Sequence, residues 1–133
     1  MNHEFAWDEL ALLWDGKNFG SVHDWLGERW NYLIQTRPDG HEDKDARFLQ
    51  GLAFAALALH FTQNRNQEGA ALLADDALQA LSAFLPAYRG VQVTPVMETM
   101  AALRPLLDGL KHDAGCPVPP SKFNKLVYLR DAG

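Results

Sequence analysis

Residues 46–63 read ARFLQGLAFAALALHFTQ, and this segment is apolar on almost every side. A surface helix confines its apolar residues to one stripe, so a segment apolar nearly all round predicts the central helix of a bundle. The run from Phe48 to Phe61 is interrupted by Gln50 and falls short of the roughly 20 residues that cross a bilayer, so it reads as a buried helix. Gln50 is the only strongly polar side chain between Phe48 and Leu59. An amide left unsatisfied in apolar surroundings costs about 1 to 3 kcal/mol. The expectation is therefore a buried Gln50, hydrogen-bonded to the preceding helix through Glu28 or Trp30. Gly51, amid the same run, is expected to permit a close helix contact.

Helical periodicity continues on both sides of this segment. Trp7, Leu10 and Trp14 share a stripe over about Glu4 to Trp14, ended by Asp15 and Gly16. Ser21 and Asp24 form an S-x-x-D start for a second helix, on which Val22, Trp25, Leu26, Arg29 and Leu33 carry one face. His23, Gly27 and Trp30 form an adjacent stripe. The polar stretch Thr36 to Asp45 reads as loop, and short polar links place the second and third helices antiparallel. Asn66 is the expected N-cap of a fourth helix that stops at Pro86. Thr94 and Pro95 open a fifth, which Pro105 should kink or divide. From Asp113 the prolines at 117, 119 and 120 predict an extended tail that docks Phe123, Leu126, Tyr128 and Leu129 on the bundle. The expected class is all-α: one bundle of about five helices filling a single domain over 1–133, of which 113–133 is tail.

Composition fits that reading. The 133 residues are 47% hydrophobic and 22% charged, in the globular range rather than the disordered one. Twelve Lys and Arg against 17 Asp and Glu give a net charge of -5 with no basic run, which argues against a nucleic-acid partner. Glu4, Asp8 and Glu9 break the N-terminal region, unlike the basic and uninterrupted apolar parts of a signal peptide. A single cysteine, Cys116, permits no intrachain disulfide and fits a reducing compartment, so a cytoplasmic location is expected.

Four stretches, in this order, carry a family resemblance over about Phe5 to Pro120. They are His23-Asp24-Trp25-Leu26-Gly27-Glu28-Arg29-Trp30, Phe48-Leu49-Gln50-Gly51-Leu52, Asn66 to Ala70, and Leu85-Pro86-Ala87-Tyr88-Arg89-Gly90-Val91. Together they resemble the motifs of the family designated domain of unknown function 309, a group of small helical proteins. Gly27 stands where the family motif has a glutamate, Phe54 where a second glutamine is frequent, and Arg65 where a glycine is common. The resemblance implies a helical bundle and supplies no reaction.

His23 with Asp24 and Glu28 is the group whose residue types best suit acid, base or ligand chemistry. Asp24 and Glu28 share a face at i, i+4, whereas Glu28 lies about 140° round from His23, and the spacing matches no standard metal signature. The competing structural reading gives Asp24 to the helix N-terminus, pairs Glu28 with a cation such as Arg47, and makes His23 a hydrogen-bonded residue between helices. A mononuclear metal site on His23, Glu28 and His60 is the nonspecific alternative, and no metal or cofactor is expected. The four tryptophans read as core, with an aromatic ligand pocket as the other use. Arg89 suits either an anionic ligand or the capping of carbonyls.

The expected function is a non-catalytic helical module binding a partner protein or a small ligand between the second and third helices, with self-association left open. The candidate site residues are His23, Asp24, Glu28, Trp30, Arg47 and Gln50. The alternative is a small hydrolase-like or metal-dependent enzyme using His23 and Glu28. The charge balance generates one test already: duplex DNA or RNA titrated at physiological salt should show no submicromolar binding, because there is no basic stripe to release counterions.

Overall fold

The computed structural model describes residues 7–64 and 66–110. Five helices follow one another: α1 (Trp7–Asp15), α2 (Phe19–Thr36), α3 (Lys44–Gln63), α4 (Gln67–Leu81) and α5 (Val93–Leu110). Single 3-10 turns cover Gly40–Glu42 and Ser82–Phe84, and two-residue strands β1 (Ala87–Tyr88) and β2 (Val91–Gln92) pair antiparallel with Tyr88 opposite Val91. The molecule is an all-α bundle, as the periodicity implies. Among the described residues no helix is long and apolar enough to cross a membrane. The expected tail over 113–133 lies outside the described residues.

The centre of the bundle is α3, with α2 packed on one side and α4 on the other; α5 packs on α4 and α1 on α2. Phe48, Leu49, Leu52, Ala55, Ala56 and Leu59 of α3 are completely buried. Burying a side chain of the leucine or phenylalanine kind contributes about 1.5 to 3 kcal/mol, so this one helix supplies a large part of the driving force. One stripe escapes. Arg47 and Gln50 are exposed and Ala53, Phe54 and Leu57 half-buried, so α3 is not enclosed all round.

Several boundaries differ from the sequence reading for identifiable reasons. The link from α1 is tight, with Gly16, Lys17 and Asn18 donating their amides to Leu12, Trp14 and Leu13 at 3.0 to 3.1 Å. That places Phe19 edge-on against Trp14 at 5.4 Å, and α2 starts there rather than after Ser21, which sits within its first turn. Asp43 caps α3 by accepting from the Ala46 amide at 3.0 Å, two residues inside the stretch read as loop. Asn66 caps α4 as expected, accepting from Gly69 at 3.0 Å. Thr94 is not the cap of α5: that helix begins at Val93, whose amide donates to the Pro86 carbonyl at 2.9 Å. Pro95 still lies in the first turn, where a missing amide is harmless, and α5 runs unbroken past Pro105 to Leu110.

Gly51 permits a close approach, and the neighbour is α4. A β-carbon built there would lie 2.8 Å from Leu81 Cδ2, 3.1 Å from its Cγ and 3.3 Å from Ala80 Cβ. Leu81 is itself completely buried and has nowhere to retreat. Gly51→Leu should therefore lower stability by about 1 to 3 kcal/mol through overpacking. Thermal denaturation followed by circular dichroism checks this, and an unchanged midpoint would mean that α4 slides freely along α3.

Candidate functional site

The register of α2 against α3 builds a groove between them. Gly20 sits opposite His60, where an added β-carbon would meet the imidazole at 3.2 Å, so the two antiparallel helices touch closely at that end. Counting inward from that contact puts His23 level with Leu57, Gly27 with Ala53 and Trp30 with Gln50. Those residues and Phe54 line a depression of about 180 Å³. Its middle is open because the two smallest residues face each other there; around Gly27 no heavy atom lies within 4 Å of where a β-carbon would stand. The His23, Gly27, Trp30 stripe is one wall, and α3 supplies the other at the same helical spacing.

Of the candidate residues, His23, Trp30 and Gln50 converge on this groove, and Asp24, Glu28 and Arg47 do not. Gln50 contradicts its expectation. Its side chain is exposed, and no hydrogen bond joins it to Glu28, Trp30 or any other described residue of α2. At the groove rim the amide is open to solvent. Glu28 and Arg47 are both exposed and form no ion pair with each other, so the expected Glu28 bridge is absent among the described residues. Asp24, with 85% of its side chain exposed, lies 3.5 Å from His23 Nδ1, a loose pair at the surface rather than an inter-helix link.

The Trp30 ring lies against that of His41, tilted by 55° with the centroids 5.5 Å apart. The other three tryptophans belong to the core, with Trp25 roofed by the Arg29 guanidinium at 3.5 Å from its ring centroid. His60 lines a separate, polar cleft with Lys17, Ser21 and Asn64, and its ring lies 3.3 Å from the Asn64 amide. Among the described residues no three of His, Cys, Asp and Glu converge as metal ligands, so the grouping of His23, Glu28 and His60 is not assembled.

A second polar centre escaped the sequence reading. Asp45, only 3% exposed, accepts from Arg89 Nε at 2.6 Å and Nη2 at 2.8 Å, from Arg37 Nη1 at 3.1 Å, and from the Tyr88 hydroxyl. Burial alone would raise its pKa; the hydrogen bonds from Arg89, Tyr88 and Arg37, with the charge of Arg89, outweigh that and hold it below the usual 3.8. Burial and the neighbouring Asp45 carboxylate push the Tyr88 phenol up. Arg89 thus spends its guanidinium on the Asp45 carboxylate of its own chain. Its φ of 47° and that of Gly90 at 84° make the two-residue primed turn between β1 and β2, and the bidentate pair with Asp45 offsets the strain of a left-handed arginine. The indole of Trp7 donates to the Arg89 carbonyl at 3.0 Å.

No family model, curated protein or solved structure matches this chain.

Asp45→Asn should destabilise the fold by about 3 kcal/mol, the low end for breaking a buried pair, because Arg37 and Arg89 keep 28% and 36% of their side chains in water. A carboxylate with a folded pKa below 3.8 contributes stability that is complete above that value and is lost as pH falls through the folded pKa. In urea unfolding the gap between wild type and the variant should therefore be widest near neutrality and shrink below about pH 4.

Proposed function

We propose that this chain is a non-catalytic helical module that binds a ligand in the groove between α2 and α3. One observation carries the reading: the half-buried rings of Trp30 and Phe54 flank an opening that the fold keeps by placing a glycine in the middle of α2. A glycine inside a helix costs about 1 kcal/mol relative to alanine, and here no neighbour crowds the position to require it. Clefts of this kind, apolar with a few polar groups at the rim, are where small ligands bind. The groove is two helical turns long, about 10 Å, which suits a small molecule better than a partner protein. The motif order that resembles domain of unknown function 309 supports the helical architecture and adds no reaction. Acid–base chemistry gains no support, since His23 and Glu28 lie on different faces of α2.

Two substitutions at one position test this. Gly27→Ala should raise the melting temperature, since it gains helix propensity worth up to about 1 kcal/mol and meets no neighbour. Gly27→Leu should fold equally well while filling the groove. With indole as the probe in ¹H–¹⁵N NMR titrations, the wild type should show saturable shifts at Gly27 and the Trp30 indole, and Gly27→Leu none. Indole that moves no groove resonance, or that still binds the leucine variant, overturns the reading.

A further inference from the structure

Resting on that reading, we infer that the groove takes a small, uncharged, flat heteroaromatic molecule of one or two rings, with a hydrogen-bond donor and an acceptor on one edge, of the kind a free nucleobase presents. Four features of the site lead there. The first is size: about 180 Å³ is a little more than the roughly 150 Å³ cavity that holds a benzene ring, the scale of one ring or a fused pair. The second is shape and surface. Trp30 and Phe54 line the groove with aromatic rings, and between them a β-carbon at Gly27 would meet nothing within 4 Å. Flat aromatic ligands pair with such walls in offset or edge-to-face arrangements.

The third feature is polarity. Level with Trp30, the carboxamide of Gln50 has no hydrogen bond to any described residue of α2, although it lies at the rim of the groove. A carboxamide presents a donor and an acceptor side by side, which matches a heteroaromatic edge carrying the complementary pair, as glutamine does with adenine. At the other end, beside Leu57, His23 offers a single ring nitrogen. An aliphatic ligand would leave both groups unused. The fourth feature is charge. No Lys, Arg, Asp or Glu lines the groove, and the chain as a whole carries -5. A phosphate or carboxylate inside the groove would find no Lys or Arg among its lining residues, which favours a free base over a nucleotide. By itself the groove is too small to be a stable protein interface, which needs roughly 1,200 Å², and the occupant inferred is a free small molecule.

The test compares three probes on the full chain by ¹H–¹⁵N NMR titration: adenine, which has the paired edge; indole, which has the rings without it; and adenosine monophosphate, which adds charge. Adenine should shift Gly27, the Trp30 indole and the Gln50 side-chain amide, and bind on the order of tenfold tighter than indole, the effect of two solvent-accessible hydrogen bonds. Gln50→Leu, at an exposed position where the fold is not at stake, should erase that tenfold and leave indole unchanged. The monophosphate should bind several-fold more weakly than adenine. Equal binding of adenine and indole, or an adenine affinity indifferent to Gln50→Leu, overturns the heteroaromatic class while the groove reading stands. Monophosphate binding as tight as adenine overturns the uncharged requirement. Adenine shifts mapping to the His60 cleft overturn the site assignment, and a groove that responds to none of the three probes overturns the groove reading itself.

Discussion

The carboxylate of Asp45 is the knot on which the arrangement of the helices depends. Taking a charge out of water is expensive, and the expense is met only if the group is paired and fully hydrogen-bonded. Asp45, in the first turn of α3, draws its partners from two places: Arg37 just past α2, and the Tyr88–Arg89 turn before α5. Through the Arg89 carbonyl the same turn also holds Trp7 and with it α1. Beside this point Phe48, Phe84 and Tyr88 pack at tilted angles with ring centroids 4.7 to 5.1 Å apart, so the Tyr88 side chain joins the ionic centre to the aromatic core. The charge and the turn support each other: the paired arginine makes burial of Asp45 tolerable, and the pair offsets the strain of a left-handed Arg89.

With that end tied, the rest of the α2–α3 interface follows from side-chain size. Arg37 and Asp45 join the helices at one end, and Gly20 against His60 brings them together at the other. Between these contacts the separation is set by both ends, so the side chains in the middle fill the gap or leave it open. Gly27 and Ala53 leave it open. On the far side of α3 the situation reverses: the missing side chain of Gly51 is occupied by Leu81, and α4 closes on α3 without a gap. Two glycines on neighbouring helices therefore do opposite things, one removing space and one keeping it, and only their neighbours distinguish them.

That distinction explains what could be read from the chain and what could not. The all-round apolar character of 46–63, the Asn66 cap, the antiparallel register that sets Trp30 level with Gln50, and the close approach at Gly51 are local or nearly local properties, and sequence carries them. Gln50 is exposed rather than buried: polarity alone implies a need for partners, and water can serve as one. The Asp45 knot was invisible for a similar reason. Arg89 lies 44 positions from Asp45, and Asp45 by itself looks like any acidic residue in the first turn of a helix. A signal did exist in the Tyr88-Arg89-Gly90 turn, since an arginine forced into left-handed backbone needs a compensating partner.

Hydrogen-bonding capacity separates the two polar centres by role. An ionised carboxylate has about four acceptor sites, and those of Asp45 are taken by two bonds from Arg89, one from Tyr88 and one from Arg37. Nothing remains for a ligand, so the most deeply buried charge of the described chain belongs to the scaffold. The carboxamide of Gln50 is the reverse case: it stands at the edge of an open aromatic groove and gives neither its donors nor its acceptor to α2. A polar group whose capacity is spent within the fold holds structure together. One left unspent beside an apolar opening is free to meet something from outside, and for that reason recognition in this molecule is assigned to the groove, although the ionic cluster is the more conspicuous feature.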